Sequence, residues 1–229
     1  MFKRKTDTAI LLFTNAASKE VTYKNILNGE SLFEHLTQQT IRKAEKTGLD
    51  LVVYTDDLQI GTTFGERFAN AIADVFSKGY KNIITIGNDS PDLQSKQLLT
   101  AHQNFQKQQN TLGPSIDGGV YLIGISKHQF EKESFAALPW QTTSVRQALQ
   151  NYLVKEATNS IHLLTTLKDI DAKQDLYHFV QQFKYKTHAF RQIILALLQQ
   201  TIVSVFINAT KPRFIYTKLL YNKGSPTIL

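Results

Sequence analysis

The chain has 229 residues, 42% of them hydrophobic and 20% charged, a balance that is typical of a folded globular protein and excludes a disordered one. It contains no cysteine, which excludes disulfides, thiolate metal ligands and thiol nucleophiles and fits a reducing, cytoplasmic location. Its net charge is +7, but the basic residues are scattered and no base-stacking motif accompanies them. We therefore expect a mild attraction to phosphorylated small molecules or to anionic membrane surfaces rather than to nucleic acid.

Five apolar segments are predicted to form β-strands, and segments with a helical spacing of apolar residues lie between them. The predicted strands are 8–13, 49–55, 82–87, 120–126 and 161–165. The predicted helices cover 31–47, 65–78, 95–108 and 144–157, and another starts near 171. Ser31 and Glu34 have the spacing of a capping box at the start of the first helix. This alternation predicts βαβ units and an α/β fold with a mainly parallel sheet.

The C-terminal segment has a different character. Residues 189–208 are largely apolar, but three polar residues at 199–201 interrupt them, so the segment falls short of a transmembrane span of about 20 apolar residues. We expect a helix that packs on the domain or against a second copy of the chain; contact with a membrane surface is the alternative. We therefore divide the chain into a domain at 1–184 and a helical appendage with a tail at 185–229.

The most informative segment is 81–93, where an apolar strand stops at Gly87 and is followed by Asp89 and Asp92. Ligands of open α/β sheets bind at this carboxyl edge of the strands, and Pro91 stiffens the loop. Carboxylates held in this way suit a hard cation such as Mg²⁺, which binds through one or two carboxylates together with substrate phosphates. We take Asp89 as a candidate metal ligand; the alternative is a turn that caps the next helix.

Other residues are candidates for the same site. Asp171, with Asp169 beside it, is the second candidate metal ligand because the strand at 161–165 can return its end to the same edge; a helix cap is the alternative. Arg67 is a candidate phosphate contact, with a solvated helix face as its alternative. Trp140 is a candidate for stacking on a sugar or a base, with plain packing as its alternative.

Asp117 is the candidate general base. It precedes Gly118 and Gly119, and glycines let the backbone approach a ligand closely. Its carboxylate can accept a proton from an acceptor hydroxyl or hold a sugar hydroxyl. The alternative is a turn residue at the start of a strand.

Several catalytic signatures are absent from the sequence. The chain has no G-x-G-x-x-G after its first strand and no G-x-x-x-x-G-K-[ST], which disfavours dinucleotide-binding and P-loop proteins. It has no G-x-S-x-G elbow and no H-x-x-x-H pair, which disfavours serine hydrolases and zinc sites of those types.

Four glycine- and acid-bearing segments, in their order along the chain, resemble a known family. They are 59–68 (Q-I-G-T-T-F-G-E-R-F), 86–93 (I-G-N-D-S-P-D-L), 112–124 (L-G-P-S-I-D-G-G-V-Y-L-I-G) and the closing elements 139–142 (P-W-Q-T) and 169–176 (D-I-D-A-K-Q-D-L). The family is a bacterial group of nucleotide-diphospho-sugar transferases with a GT-A-type fold. Some members are glycosyltransferases of arsenosugar biosynthesis, and the family is related to the guanylyltransferase of deazaflavin-coenzyme synthesis. The resemblance covers residues 8–180.

This resemblance implies a Rossmann-like, three-layer GT-A-type domain that transfers a glycosyl group from a nucleotide-sugar to a small acceptor, with Mg²⁺ or Mn²⁺ as cofactor. It implies Asp117 as the catalytic residue and Asp89 and Asp171 as metal ligands. The implied substrate contacts are Gly65, Arg67, Asp92, Gly118, Gly119 and Trp140. Two alternatives remain open: nucleotidyl transfer onto a phosphorylated small molecule, and a non-catalytic protein that binds nucleotide-sugars or acts as a scaffold.

One loop departs from the family pattern. After the first strand the family has a basic loop that ends in K-T-R-L, whereas residues 14–26 offer only Lys19 and Lys24 as partial substitutes. Thr63 stands where the family usually has Asp. Each charge-assisted hydrogen bond from a basic side chain to a diphosphate contributes about 1.5–3 kcal/mol to binding. We therefore expect weak binding of diphosphate nucleotides, which favours the non-catalytic alternative.

Overall fold

A computed structural model describes residues 6–154, 160–181 and 188–209, with the backbone alone at 188 and at 200–209. The strands in these residues are β1 (Thr8–Phe13), β2 (Asp50–Tyr54), β3 (Asn82–Ile86), β4 (Gln109–Pro114), β5 (Val120–Ser126) and β6 (Ser160–Leu163). The α-helices are α1 (Ala17–Tyr23), α2 (Glu30–Glu45), α3 (Phe64–Ser77), α4 (Ser95–Gln106), α5 (Lys132–Ala136), α6 (Val145–Leu153), α7 (Lys173–Gln181) and α8 (His188–Ala209).

The strands form one mixed sheet in the order β2-β1-β3-β5-β4-β6. Strand β1 runs parallel to both of its neighbours, β5 runs antiparallel to β3 and to β4, and β6 runs parallel to β4. Of the six strands described, β5 alone is reversed, so its amino end lies at the same edge as the carboxyl ends of the others. This arrangement confirms the predicted α/β fold with a mainly parallel, mixed sheet.

Helices cover both faces of the sheet because successive side chains of a buried strand point to opposite faces. Ala9 and Leu11 of β1 belong to a buried cluster with α3, α5 and α6, whereas Ile10 and Leu12 belong to a cluster with α2 and α4. All four side chains are fully buried. Each buried leucine or isoleucine side chain stabilises the fold by about 1.5–3 kcal/mol. The result is the predicted three-layer sandwich.

The helix predicted over 189–208 is present as α8. Its first half packs on α2 and α7 in a third buried cluster. The α8 side chains in this cluster include Phe190, Ile194, Leu197 and Leu198. Among the described helices, none combines the length and the apolar character that crossing a bilayer requires. The division of the chain between 184 and 185 and the contact with a membrane surface stay predictions.

The capping box predicted for Ser31 and Glu34 at the start of the first long helix is wrong. The carbonyl oxygen of Gly29 already accepts hydrogen bonds from the backbone N–H groups of Leu32 and Phe33, so α2 begins before Ser31 and no side chain caps it. A capping box is found instead at α3. There the Thr63 side chain accepts a hydrogen bond from the Glu66 backbone, and the Glu66 side chain accepts one from the backbone of Thr63.

Three of these strands and α-helices were not predicted, and each lacks the apolar spacing on which the predictions depend. Strand β4 is polar but buried: Asn104 Nδ2 donates to Thr111 Oγ1 at 3.0 Å, and Asn110 Nδ2 donates to the Leu153 carbonyl at 3.4 Å. Helices α1 and α5 are short, with seven and five residues. Helix α6 ends at 153, and residues 155–157 of the helix predicted there lie outside the described residues.

Candidate functional site

A cleft of about 560 Å³ opens at the carboxyl edge of the sheet. Several parts of the chain contribute to its lining. They include residues 13–15 at the end of β1, 86–89 at the end of β3, 119–123 at the start of β5, 140–143, and residues 169 and 171 beyond β6. The topology brings these parts together because β5 is reversed and begins where β1 and β3 end. The volume lies within the range of about 300–1,000 Å³ that small-molecule sites have. We call this cavity the edge cleft.

The loop after β1 folds into α1 and brings two charged residues to the edge cleft. Asp56 Oδ1 accepts a hydrogen bond from the Ala16 backbone at 2.7 Å, at the start of α1. Asn15 Nδ2 donates to Glu20 Oε1 at 2.8 Å. Glu20 and Lys24 lie one helical turn apart and both line the cleft. Burial raises the pKa of Glu20 above its ordinary value, although the positive charge of Lys24 opposes this shift.

The ammonium group of Lys24 lies between the two carboxylates that the sequence predicts as metal ligands. Lys24 Nζ donates to Asp89 Oδ2 at 2.8 Å, to the Ile170 carbonyl oxygen at 2.7 Å and to Asp171 Oδ1 at 3.2 Å. Burial lowers the pKa of Lys24, but the carboxylates of Asp89, Asp171 and Glu20 outweigh this effect and raise the pKa above its ordinary value. Lys24 is therefore a cation, and these three contacts engage its three N–H donors.

Asp169 lies beside this cluster but faces two serines. Ser90 Oγ donates to Asp169 Oδ1 at 2.5 Å, and Ser115 Oγ donates to Asp169 Oδ2 at 2.5 Å. Burial and the neighbouring charge of Asp89 raise the pKa of Asp169 to about 7. The two aspartates that flank Ile170 thus have different partners: Asp169 joins the loops after β3 and β4, and Asp171 faces Lys24.

Asp117 lies at the mouth of the edge cleft and is exposed. Its Oδ1 accepts a hydrogen bond from the Gly119 backbone N–H at 2.9 Å, which orients the carboxylate. Gly118 has a φ of +94°, and a Cβ at this position would lie 2.7 Å from the Thr143 carbonyl oxygen. The tight turn therefore requires glycine at 118, and this turn sets the direction in which Asp117 points.

Two residues near the start of α3, Arg67 and Thr63, bear on the predicted contacts with the substrate. Arg67 lines the edge cleft, and its Nη1 donates to the Thr62 carbonyl oxygen at 3.2 Å. Thr63, which stands where the family usually has Asp, is the N-cap of α3, a role that either residue type fills. Of the two lysines that partly replace the family's basic loop, Lys24 lines the cleft, whereas Lys19 pairs with Asp56 at 2.6 Å and has an exposed side chain.

Trp140 belongs to an aromatic wall of the edge cleft. Its ring centroid lies 5.7 Å from that of Phe64 and 5.0 Å from that of Phe135, and its Nε1 donates to the Phe135 carbonyl at 2.9 Å. Gly65 packs behind this wall. A Cβ at this position would lie 2.1 Å from the Ala136 carbonyl oxygen and 2.6 Å from Trp140 Cδ1, so the close packing of α3 on α5 requires glycine.

The edge cleft brings together six of the nine residues that were predicted for the site: Arg67, Asp89, Asp117, Gly119, Trp140 and Asp171. Gly65, Asp92 and Gly118 are not part of its lining. Their roles as substrate contacts stay predictions, as do the catalytic and metal-binding roles of the others.

The sequence reasoning missed four polar residues of the site: Glu20, Ser90, Ser115 and, as a partner of the aspartates, Lys24. The spacing of Glu20 and Lys24 is a signal that was available, because opposite charges four residues apart face each other on a helix. The two serines carry no such signal, because only the fold brings them to Asp169.

A model of a bacterial protein family, described as "Uncharacterized protein conserved in bacteria (DUF2064)", matches residues 23–142. A crystal structure of a "putative nucleotide-diphospho-sugar transferase" from Desulfovibrio desulfuricans G20 is similar to this chain, with a TM-score of 0.70 and 23% sequence identity. The match covers 88% of this chain and 98% of that chain, and at this identity it shows a shared fold. No curated protein matches the chain significantly.

Two other solved structures are similar at a lower level. Rv0371C from Mycobacterium tuberculosis H37Rv, in complex with manganese, has a TM-score of 0.43 and 16% identity and covers 76% of this chain and 97% of its own. CMP:2-keto-3-deoxy-manno-octonic acid synthetase complexed with CTP has a TM-score of 0.42 and 10% identity and covers 76% of this chain and 96% of its own. Both TM-scores are below 0.5.

The family match covers more than half of the 229 residues. It includes α2, α3 and α4, three strands of the sheet from β2 to β4, and β5. It also includes most of the lining of the edge cleft, from Lys24 to Trp140. The chain belongs to the DUF2064 family of bacterial proteins.

Proposed function

We propose that the edge cleft binds a nucleotide-sugar and that the protein transfers the glycosyl group to a small acceptor. The observation that carries this proposal is the position of Asp117, an exposed carboxylate on the lining of a cleft of about 560 Å³ at the carboxyl edge of the sheet. The fold that this chain shares with the nucleotide-diphospho-sugar transferase structure supports the same interpretation. Open α/β sheets bind their ligands at this edge.

Asp117 is the proposed general base. The Gly119 backbone holds Oδ1 at 2.9 Å, and within the part of the chain that the structure describes Oδ2 has no hydrogen-bond donor, so it is the oxygen that accepts the proton of the acceptor hydroxyl. The acceptor oxygen then forms a bond to the anomeric carbon of the sugar. The bond between that carbon and the diphosphate oxygen breaks, and the diphosphate leaves with the electron pair.

The aromatic wall is the proposed contact for the apolar faces of the ligand. Phe64 and Trp140 line the cleft, and the ring of Trp140 is held by the hydrogen bond from its Nε1 to the Phe135 carbonyl. A flat, fixed ring presents a large apolar face at a low entropic cost. Base or sugar stacking on Trp140 is therefore part of the proposal.

One observation favours the second candidate, a non-catalytic protein that binds nucleotide-sugars. The described lining of the cleft has five carboxyl groups (Glu20, Asp89, Asp117, Asp169 and Asp171) and two basic side chains (Lys24 and Arg67). All three donors of Lys24 are already engaged. A cleft with this balance stabilises a leaving diphosphate less well than a basic one, so slow or absent turnover fits the same geometry.

The test is a thermal-shift panel with the purified protein. Its members are UDP-glucose, GDP-mannose, dTDP-glucose, the corresponding nucleoside diphosphates and triphosphates, and glucose 1-phosphate. The proposal predicts that at least one nucleotide-sugar raises the melting temperature more than its nucleoside triphosphate does, because the sugar adds contacts. A panel in which triphosphates stabilise best supports nucleotidyl transfer instead, and a panel without any shift contradicts the proposal.

Asp117→Asn separates catalysis from binding. The amide keeps the acceptor oxygen for the Gly119 N–H but takes up no proton, so we expect turnover to fall at least 100-fold while the affinity for the nucleotide-sugar stays within a few-fold. Parallel losses of affinity and thermal stability would show that Asp117 is a turn residue and not a base.

A further inference from the structure

The Lys24 ammonium occupies the position where the sequence predicts a divalent cation. Its three N–H donors contact a carboxylate oxygen of Asp89, a carboxylate oxygen of Asp171 and the carbonyl oxygen of Ile170, at 2.7–3.2 Å. Carboxylate and carbonyl oxygens are also the ligands that hard divalent cations take. The ammonium therefore fills an oxygen-lined position that has the chemistry of a cation site.

The fold holds Lys24 in this position. Lys24 follows the last residue of α1, and its backbone N–H donates to the Glu20 carbonyl oxygen at 2.9 Å. Its side chain is 12% exposed, and Nζ lies 6.0 Å from the centroid of the Phe33 ring. Burial on several sides distinguishes Lys24 from a solvated lysine that folds over a carboxylate by chance.

A divalent cation between Asp89 and Asp171 would compete with this ammonium for their carboxylates. Mg²⁺ binds oxygens at about 2.0–2.1 Å, and one oxygen of each carboxylate, Oδ2 of Asp89 and Oδ1 of Asp171, already accepts a hydrogen bond from Nζ. The carboxylate of Asp169 is held by Ser90 and Ser115 through both of its oxygens. Within the residues that the structure describes, no three His, Cys, Asp or Glu side chains are grouped to hold a metal ion.

We propose that Lys24 takes the place of the divalent cation, so that the wild-type protein binds no metal ion between Asp89 and Asp171 and its ammonium faces the ligand's phosphates. The phosphate part of this inference rests on the proposed function; the cation part does not. Asp171 is the exchangeable partner, because its contact is the longest of the three and its side chain is 51% exposed. A phosphate oxygen replaces it as the third acceptor of Lys24.

The test uses Mn²⁺ alone, titrated into the protein and followed by the electron paramagnetic resonance signal of the free ion. The variants are Lys24→Ala, Asp89→Asn, the double variant Lys24→Ala with Asp89→Asn, and the control Lys19→Ala. Lys19 lies in α1 and likewise pairs with an aspartate, but at the surface. Circular dichroism and the melting temperature establish that each variant is folded.

We expect the wild type and Lys19→Ala to bind Mn²⁺ no more tightly than about 1 mM, a level at which site binding is marginal. Lys24→Ala should bind Mn²⁺ at least tenfold more tightly, because two carboxylates lose their cation, and Asp89→Asn should abolish this gain. Tight binding by the wild type that Asp89→Asn removes would overturn the proposal, and so would a folded Lys24→Ala variant without any gain. Because the wild type and Asp89→Asn suffice for the first of these results, a Lys24→Ala variant that fails to fold does not prevent the test. Since no nucleotide is present, the outcome does not depend on the proposed function.

Discussion

Ser115 donates a hydrogen bond to the half-buried carboxylate of Asp169 at 2.5 Å, across 54 positions of the chain. This bond ties the end of β4 to the segment beyond β6 that carries Asp171. Ser90 completes the arrangement from the loop after β3. The floor of the edge cleft is therefore held by a carboxylate that has two hydroxyl partners, and not by apolar packing alone.

We predict that Ser115→Ala lowers the free energy of unfolding by about 1–3 kcal/mol, because it removes the hydroxyl partner of a half-buried carboxylate oxygen. Urea unfolding measures this loss. The control is Ser77→Ala, since Ser77 is exposed and its hydroxyl donates to the Asp74 carbonyl within the same helix; a change within about 0.5 kcal/mol is expected there. Equal losses in both variants would mean that the contact with Asp169 does not stabilise the fold.

Gly65→Ala should perturb Trp140, the only tryptophan of the chain. The added methyl group would lie 2.6 Å from Trp140 Cδ1, so we expect a shift of the tryptophan emission and a destabilisation of about 1–3 kcal/mol from overpacking. Gly48→Ala is the control, because its φ of +75° makes alanine costly there, while no atom of the described residues beyond its two chain neighbours would lie within 4 Å of the added Cβ. It should destabilise the protein without a change in emission. Unchanged emission in Gly65→Ala would contradict the packing role of Gly65.

Tyr23→Lys should tighten the binding of diphosphate ligands about two- to fivefold at low salt, the size of an exposed ion pair. Tyr23 lines the edge cleft and is 71% exposed, so the new ammonium can reach the ligand without burial. Leu27→Lys is the control, since Leu27 is similarly exposed but is not part of the cleft lining. Calorimetric titration at two salt concentrations gives the comparison, and the same gain in both variants would reflect net charge only.

Lys43 should make stability depend on pH in the alkaline range. Its Nζ donates to the Pro91 carbonyl at 2.8 Å; burial lowers its pKa from 10.5 to about 8, with Lys46 acting in the same direction and Asp92 opposing. Between these two pKa values the unfolded chain binds more protons than the folded chain, so the unfolding free energy rises with pH.

The measurement is urea unfolding of the wild type and of Lys43→Met at pH 7 and pH 10. We expect the wild type to gain stability relative to the variant as the pH rises, by at most about 3 kcal/mol for a pKa difference of this size. Tyrosines also titrate near pH 10, but they affect the stability of both proteins in the same way, so their contribution cancels in the difference between the two unfolding free energies. If the unfolding free energy of the wild type falls relative to that of Lys43→Met between pH 7 and pH 10, this result would contradict the lowered pKa of Lys43.

The sequence was sufficient to predict those parts of the fold in which apolar spacing is strong. Strand β1 was predicted at the bounds it has because it is a short apolar run that is buried on both faces. Helix α3 was predicted within one residue because its buried side chains follow a period of 3.6. Strand β4 escaped prediction because its buried residues include Asn110 and Thr111, whose hydrogen bonds to Leu153 and Asn104 depend on the tertiary structure. No local pattern in the sequence indicates those partners.

The sequence was sufficient to predict where the site lies on the sheet, but not which of its side chains contact one another. Asp89 and Asp171 were expected at one edge of the sheet, and the topology brings them there. What lies between them depends on α1, a helix too short and too polar to predict. Lys24 was therefore interpreted as a phosphate contact in a loop, whereas the helix turns it towards the two aspartates.

Calorimetric titration of the wild type with the nucleotide-sugar that gives the largest thermal shift, in buffer with EDTA and then in buffer with Mg²⁺, decides between Lys24 and a metal ion as the source of positive charge in the edge cleft. We expect the affinity to differ by less than about threefold between the two buffers, because Lys24 supplies the charge that a metal ion would supply. We also expect Lys24→Met to bind at least tenfold more weakly in EDTA, while the control Lys19→Met binds like the wild type. Binding by the wild type that disappears in EDTA and returns with Mg²⁺ would show that a metal ion, and not Lys24, supplies this charge.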